Sequence, residues 1–156
     1  MAFFSAKLLK TDVLYMNILF FLKPKQEVCF LKKNFTMRQG IEKIRQYGYS
    51  AVPVLDDDGK YWGAVSDGDF LRVMLEHPEQ KEWEQIPLTH LMETSHSKWE
   101  AADVTADGAE LLKLATCQNF VPVVDDRGMF IGIVTRQDVI RYFAGEYFKQ
   151  KEKLRA

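Results

Sequence analysis

The feature that most constrains the fold of this chain is an internal repeat. Residues 50–72 read SAVPVLDDDGKYWGAVSDGDFLR and residues 119–141 read NFVPVVDDRGMFIGIVTRQDVIR, with ten of the 23 positions identical at a constant offset of 69. Unrelated segments would share about one or two identities in such a window, and ungapped self-similarity is the signature of a duplicated structural unit. The chain is therefore predicted to fold as two copies of one motif.

Each copy predicts a β-hairpin followed by a helix. The Val-Pro-Val run in each copy is typical of a short buried strand, and its proline places the run at a strand start or a sheet edge. The Asp-Asp-x-Gly segment that follows has turn chemistry, because glycine permits positive φ. A returning strand comes next, and apolar spacing then indicates helices over 70–76 and from 137 to about 149.

A second helix is predicted ahead of each hairpin. Thr36 is expected to cap a helix over 37–47, and Thr105 to cap a helix over 106–117. Each half then has the order strand, helix, strand, strand, helix. The polar segment 76–87, which contains two prolines, is expected to connect the halves.

Composition disfavours two classes of protein. The net charge is −1, with 21 basic and 22 acidic residues, whereas proteins that bind nucleic acid by neutralising phosphates usually carry a basic excess. The two cysteines and three histidines have no spacing that matches a metal site. The sequence contains no nucleophile–base constellation and no phosphate-binding loop motif, so neither catalysis nor a metal is predicted.

The N-terminal region contains the apolar run VLYMNILFFL at 13–22. Ten residues are too few to span a bilayer, and no small-residue cleavage site follows them. We expect a strand or a buried segment here, and a cytoplasmic protein with reduced cysteines. Residues 1–15 are expected to be an N-terminal extension, with Met16 as an alternative start.

The two copies, in register, resemble cystathionine β-synthase-type (CBS) domains over about residues 16–148. The Val-Pro-Val strand, the Asp-Asp-x-Gly turn and the Gly-x-Val-Ser/Thr-x-x-Asp segment carry the resemblance. It implies an α/β (α+β) fold of two CBS repeats, at 16–75 and 88–148, joined by a linker at 76–87. Each repeat would be a three-stranded sheet packed with two helices, related to the other by a pseudo-twofold axis. The family also implies a homodimer and an adenosine-type ligand in clefts between the repeats.

The resemblance assigns the ligand's ribose and phosphate to the Ser/Thr-x-x-Asp segments. Asp69 and Asp138 would accept hydrogen bonds from ribose hydroxyls, since an ionised carboxylate offers two acceptor oxygens. Ser66 and Thr135 would contact ribose or phosphate at a helix N-terminus, which favours anions. The same two segments also resemble helix capping boxes, and capping alone explains them without a ligand.

Three further parts of the site follow from the resemblance. The strand starts would surround the adenine, although core packing also explains both valines. They consist of Ala51, Val52, Pro53, Phe120, Val121 and Pro122. Thr36 and Thr105 would reach the ligand from their helix starts, with capping as the alternative. Arg136, which stands where the first copy has Asp67, would favour phosphate if its side chain points into the cleft.

The function implied is a non-catalytic module that binds AMP, ADP, ATP or cyclic di-AMP and signals to a partner protein. The alternative is a ligand-free scaffold for protein interaction or dimerisation. The intact Ser66/Asp69 and Thr135/Asp138 pairs favour the ligand-binding module.

Overall fold

The computed structural model describes residues 16–155, apart from the side chains of Tyr147, Gln150 and Leu154. The expected N-terminal extension at 1–15 lies outside the described residues. The described residues form seven strands: β1 Lys23–Pro24, β2 Leu31–Lys32, β3 Ala51–Leu55, β4 Tyr61–Ser66, β5 Ala102–Asp103, β6 Phe120–Val124 and β7 Phe130–Thr135. The α-helices are α1 Met37–Tyr47, α2 Asp67–Glu76, α3 Gln80–Trp83, α4 Leu88–Glu93, α5 Gly108–Cys117 and α6 Arg136–Arg155, and two 3-10 helices lie at Ile18–Phe21 and Lys25–Glu27.

Both hairpins close through the same turn. The side-chain oxygen Oδ1 of Asp56, and likewise that of Asp125, accepts hydrogen bonds from the amides two and four residues further on, at 2.9 to 3.0 Å. Gly59 and Gly128 have φ of 84° and 77°, a conformation that glycine adopts without steric cost. The repeated Asp-Asp-x-Gly segments are therefore turns, as predicted.

The tips of the two hairpins meet at the pseudo-twofold axis. The amide of Tyr61 donates to the carbonyl of Gly128 at 3.1 Å, and the amide of Phe130 donates to the carbonyl of Gly59 at 3.2 Å. The offset of 69 converts each of these two bonds into the other, so the pseudo-twofold axis that the resemblance implied is present in the backbone pairing.

Two sheets form the framework, and the predicted fold class is confirmed. One has the order β2-β3-β4, and the other has the order β1-β7-β6-β5. Within each sheet the hairpin strands are antiparallel and the short upstream strand is parallel. The second sheet has four strands rather than the expected three, because Lys23–Pro24 pairs antiparallel with β7.

The segment ahead of each repeat packs on the other repeat. Met16 and Ile18 are buried in the core that contains β6 and β7, while Leu88 and Leu91 of α4 are buried in the core that contains β3 and β4. The packing therefore crosses the expected domain limits at residues 75 and 88, which stay a prediction. No α-helix of the described residues is both long and apolar enough to cross a membrane.

The caps of the first helices differ between the halves. The hydroxyl of Thr36 accepts from the amide of Gln39, whose side chain accepts from the Thr36 amide, so the predicted cap is confirmed. The predicted cap at Thr105 is wrong. The carboxylate of Asp107 caps α5 instead, at 2.9 Å from the amide of Glu110, and Thr105 donates from its amide and hydroxyl to Asp103.

A substitution at Gly132 tests how closely the N-terminal segment approaches β7. A Cβ atom there would lie 2.1 Å from the carbonyl oxygen of Lys23, a contact that backbone must move to relieve. Gly132→Ala is expected to lower the free energy of unfolding by about 2 kcal/mol, measured by urea denaturation. Gly145→Ala is the control, because a Cβ there meets nothing within 4 Å and helix propensity favours alanine. Equal stability of the two variants would contradict the close approach.

Candidate ligand-binding site

A cavity of about 310 Å³ lies between the two repeats. Its lining consists of segments 28–29, 49–53 and 119–120, with Ile133, Thr135 and Gln137. We call it the open cavity. Both Val-Pro-Val strands begin here, because the hairpins meet at the pseudo-twofold axis and bring the two strand starts together. The volume falls at the lower end of the range for small-molecule sites.

The open cavity contains only part of the predicted site. Ala51, Val52, Pro53, Phe120 and Thr135 line it. The other predicted residues are absent from its lining: Thr36, Ser66, Asp69, Thr105, Val121, Pro122, Arg136 and Asp138. Val52 and Val121 are both buried in the cores, so the packing role foreseen for them is present.

The walls of the open cavity combine apolar surface with a few polar side chains. Val28, Pro53 and Ile133 supply apolar surface, while Ser50 and Asn119 can donate and accept hydrogen bonds. This mixture suits a flat ring with polar edges, because apolar walls cover the faces and the few polar groups fix the orientation.

Asp138 lies just beyond the cavity, at the start of α6. Its Oδ2 accepts from the hydroxyl of Thr135 and lies 3.3 Å from Nζ of Lys23, and its amide donates to Thr135 Oγ1 at 3.1 Å. Burial acts to raise the pKa of this carboxyl, but the hydrogen bonds and the charges of Lys23 and Arg141 outweigh it and lower the pKa. The group is therefore ionised at neutral pH. Its side chain is 25% exposed.

Asp69, the counterpart of Asp138, is committed to the protein. Its Oδ2 accepts from the amide and the hydroxyl of Ser66 at 2.9 and 2.8 Å, and its Oδ1 lies 3.5 Å from Nη2 of Arg72. The side chain is 7% exposed. Capping bonds are thus present in both repeats, but only Asp138 retains an exposed fraction that a ligand can reach.

The structure corrects the expected orientation of Arg136. Its Nε donates to the carbonyls of Ala115 and Gln118, at 2.8 and 3.1 Å, at the C-terminal end of α5. A cation is favourable there, because the last carbonyls of a helix lack intrahelical partners and carry partial negative charge. Arg136 therefore joins α6 to α5 and does not point into the open cavity.

This orientation predicts a loss of stability on truncation. Arg136→Ala is expected to lower the free energy of unfolding by about 1.5 kcal/mol, because two carbonyls lose a charged donor. Arg127→Ala is the matched control, since Arg127 is an exposed hairpin arginine paired only with Asp125, and it should leave unfolding nearly unchanged. Chemical denaturation of both variants checks this, and equal stabilities would overturn the assigned role.

Seven residues of the open cavity are not among the predicted site residues: Val28, Cys29, Tyr49, Ser50, Asn119, Ile133 and Gln137. Val28 and Cys29 lie upstream of β2, where the repeat has no sequence identity to mark them. Burial raises the pKa of Cys29, with Lys43 opposing the rise, so the group is a thiol rather than the reactive thiolate. No cluster of three or more His, Cys, Asp or Glu side chains within residues 16–155 is arranged to hold a metal.

The fold is a two-repeat α/β module with a cavity between its repeats. The family model described as CBS domain matches residues 24–76 and 103–145, together more than half of the chain. The chain belongs to the CBS domain family.

Solved structures that resemble this one include two nucleotide complexes. CbpB in complex with c-di-AMP is 20% identical with a TM-score of 0.77, over 95% of this chain and 97% of that chain. CBSX2 in complex with AMP is 24% identical with a TM-score of 0.63, over 84% of this chain and 98% of that chain. These likenesses establish the fold.

A curated relative is an enzyme. L-aspartate semialdehyde sulfurtransferase of Methanocaldococcus jannaschii is 26% identical over 72% of this chain. The chain spans only 21% of that enzyme's length. Its activity therefore does not transfer to this chain.

Proposed function

We propose that this protein is a non-catalytic regulatory module that binds one adenine nucleotide in the open cavity and signals to a partner protein. The observation that carries the proposal is the cavity itself, built from the strand starts of both repeats and bordered by the Thr135–Asp138 pair. Relatives of the same fold were solved with c-di-AMP and with AMP.

The cavity suits an adenine ring. Pro53 and Ile133 offer apolar surface for the ring faces, and Phe120 adds an aromatic side chain for stacking. The side chains of Ser50 and Asn119 can hydrogen-bond the polar edge of the base. A volume near 310 Å³ favours a single adenosine group over a larger ligand that is wholly enclosed.

The ribose and phosphate have partners at the edge of the cavity. The ionised carboxylate of Asp138 can accept from ribose hydroxyls, and the N-terminus of the 20-residue helix α6 favours phosphate. A neighbouring recess shares Val28 and Cys29 with the cavity and is lined by Lys25 and Lys43. The ammonium groups of Lys25 and Lys43 supply the positive charge near the phosphate that Arg136 was expected to provide.

The predicted homodimer and cytoplasmic location are part of this proposal. Leu71 and Leu75 on α2 and Ile140 on α6 are exposed apolar side chains, which a second copy of the chain would cover. Sedimentation velocity tests the dimer, and a monomer at every concentration would remove it from the proposal. The same apolar surface favours the alternative function, a scaffold for protein interaction without a ligand.

Thermal unfolding against a set of ligands distinguishes the two functions. Adenosine, AMP, ADP, ATP, cyclic di-AMP, S-adenosylmethionine and GTP are each added to the full chain. A ligand at 100 times its Kd adds about 2.7 kcal/mol of stability, which raises Tm by several degrees in a domain of this size. We expect one adenine compound to produce this shift and GTP to produce none.

Two variants that each remove one carboxylate test where the nucleotide binds. Asp138→Ala is expected to abolish the shift, whereas Asp126→Ala, which removes an exposed carboxylate from a hairpin turn, should retain it. If no compound shifts Tm at millimolar concentration, the nucleotide proposal fails and the scaffold function stands.

A further inference from the structure

The indole of Trp99 is packed against the interface between the repeats. Its ring stacks on Phe120 with centroids 4.9 Å apart and an interplanar angle of 22°. Its Nε1 is buried and has no hydrogen-bond partner within residues 16–155. A buried donor without a partner destabilises the fold, so the packing of the ring must offset that loss.

The backbone around Trp99 is held on both sides. The hydroxyl of Tyr61 donates to the Trp99 carbonyl at 2.8 Å. The buried side chain of Gln118 accepts from the amide of Glu100 at 3.1 Å and donates to its carbonyl at 2.8 Å. These bonds cross between distant parts of the chain, so the position of the indole is set by the fold.

The pseudo-twofold axis identifies what the indole replaces. β2 and β5 are equivalent strands, because Leu31 pairs with Val54 as Ala102 pairs with Val123. Counting back three residues from each makes Val28 the counterpart of Trp99. Val28 lines the open cavity. The symmetry-related cleft, which the axis places beside Ser66 and Asp69, therefore has an indole where the open cavity has a small aliphatic side chain.

The ring on which Trp99 stacks belongs to the repeated segment. Ala51 lines the open cavity, and its counterpart at the offset of 69 is Phe120, the ring on which Trp99 stacks. Phe120 also lines the open cavity, so the difference between the two clefts rests on the exchange of Val28 for Trp99. Asp69 on that side is 7% exposed, against 25% for Asp138.

We infer that Trp99 is an internal aromatic ligand that occupies the symmetry-related cleft and limits the chain to one nucleotide. That the symmetry-related cleft would otherwise bind a nucleotide rests on the proposed function, but the filling of that cleft by the indole does not. Trp99 is thus a residue that determines how many ligands bind.

Indole itself tests the filled cleft without any nucleotide. Trp99→Ala removes a ring and leaves space of its shape, so free indole at millimolar concentration should raise Tm of this variant by a few degrees. Wild type should not respond. Trp62→Ala is the matched control, because Trp62 is an exposed tryptophan on β4 and its removal leaves no enclosed space. The inference would be overturned if indole did not raise Tm of Trp99→Ala, or if it raised Tm of Trp62→Ala by the same amount.

Titration calorimetry with AMP then counts the sites. We expect one AMP per chain for wild type and for Trp99→Phe, and two for Trp99→Ala. One AMP per chain in all three would overturn the inference while the proposed function stands. If AMP binds none of them and indole still rescues Trp99→Ala, the nucleotide proposal fails and the filled cleft stands.

A fluorescence measurement covers the case in which Trp99→Ala does not fold. In the Trp62→Phe/Trp83→Phe background Trp99 is the single tryptophan, and its emission should resist quenching by acrylamide. Quenching as rapid as that of free tryptophan would show that the indole is in solvent and would overturn the inference.

Discussion

Asp69→Ala is expected to lower the free energy of unfolding by about 3 kcal/mol, whereas Asp138→Ala costs about 1 kcal/mol. The two residues are equivalent in the repeat but differ in environment. Asp69 is buried, and its removal leaves the amide of Ser66 without its acceptor and Arg72 without its carboxylate. Asp138 lies at a partly exposed helix start, so its truncation should lower the free energy of unfolding by about as much as the loss of an ordinary helix cap. Urea denaturation of both variants measures the difference.

Asp67→Ala is the control for this pair of variants. Asp67 also lies in the first turn of α2 and carries the same charge near the helix N-terminus, but its side chain is exposed. Its loss should cost less than about 1 kcal/mol. Equal destabilisation by Asp69→Ala and Asp138→Ala would mean that the two halves are energetically alike, which contradicts the difference in burial.

The repeat was sufficient to predict the architecture. Identity at an offset of 69 marks residues that duplicated structure requires, such as the turn glycines Gly59 and Gly128. Turn and strand signals depend on neighbours in sequence, so they can be read from one chain. The β-hairpins and the helices on either side of each hairpin therefore agree with the sequence prediction, whereas the helices at Gln80–Trp83 and Leu88–Glu93 were not predicted.

Features set by tertiary contact could not be predicted in the same way. Lys23–Pro24 is a two-residue strand that forms only because β7 offers an edge. The start of α5 is a local feature that the prediction missed: the carboxylate of Asp103 binds the amide and hydroxyl of Thr105, and the helix begins at Gly108 with Asp107 as its cap. Arg136 is drawn to α5 by free carbonyls that lie about 20 positions earlier in the chain.

The residues of the open cavity also divide into those inside the repeated segment and those outside it. Ala51, Pro53 and Phe120 lie in the repeated segment and line the open cavity, while their contact with an adenine stays a prediction. Val28 and Trp99 lie outside the repeated segment, and they are equivalent only through the pairing of β2 and β5. The difference between the two clefts is therefore a property of residues that the sequence repeat does not contain.

Val28→Trp is expected to abolish binding of AMP to the open cavity. The substitution places an indole at the position equivalent to Trp99, in the wall of the open cavity that also contains Ala51 and Phe120. Val28 is half-buried beside the cavity, so the larger ring can enter the cavity without displacing the core. The nucleotide and the ring then compete for the same volume. Titration calorimetry should show a loss of affinity of at least tenfold, which is about 1.4 kcal/mol.

Val28→Ile is the control, because it adds one methylene group and leaves most of the cavity open. Its affinity for AMP should stay within about fivefold of wild type, since one methylene group changes binding by only about 1 kcal/mol. Thermal unfolding of both variants without ligand establishes that they are folded. Wild-type affinity in a folded Val28→Trp variant would place the nucleotide outside the open cavity and would remove the main support for the proposed site.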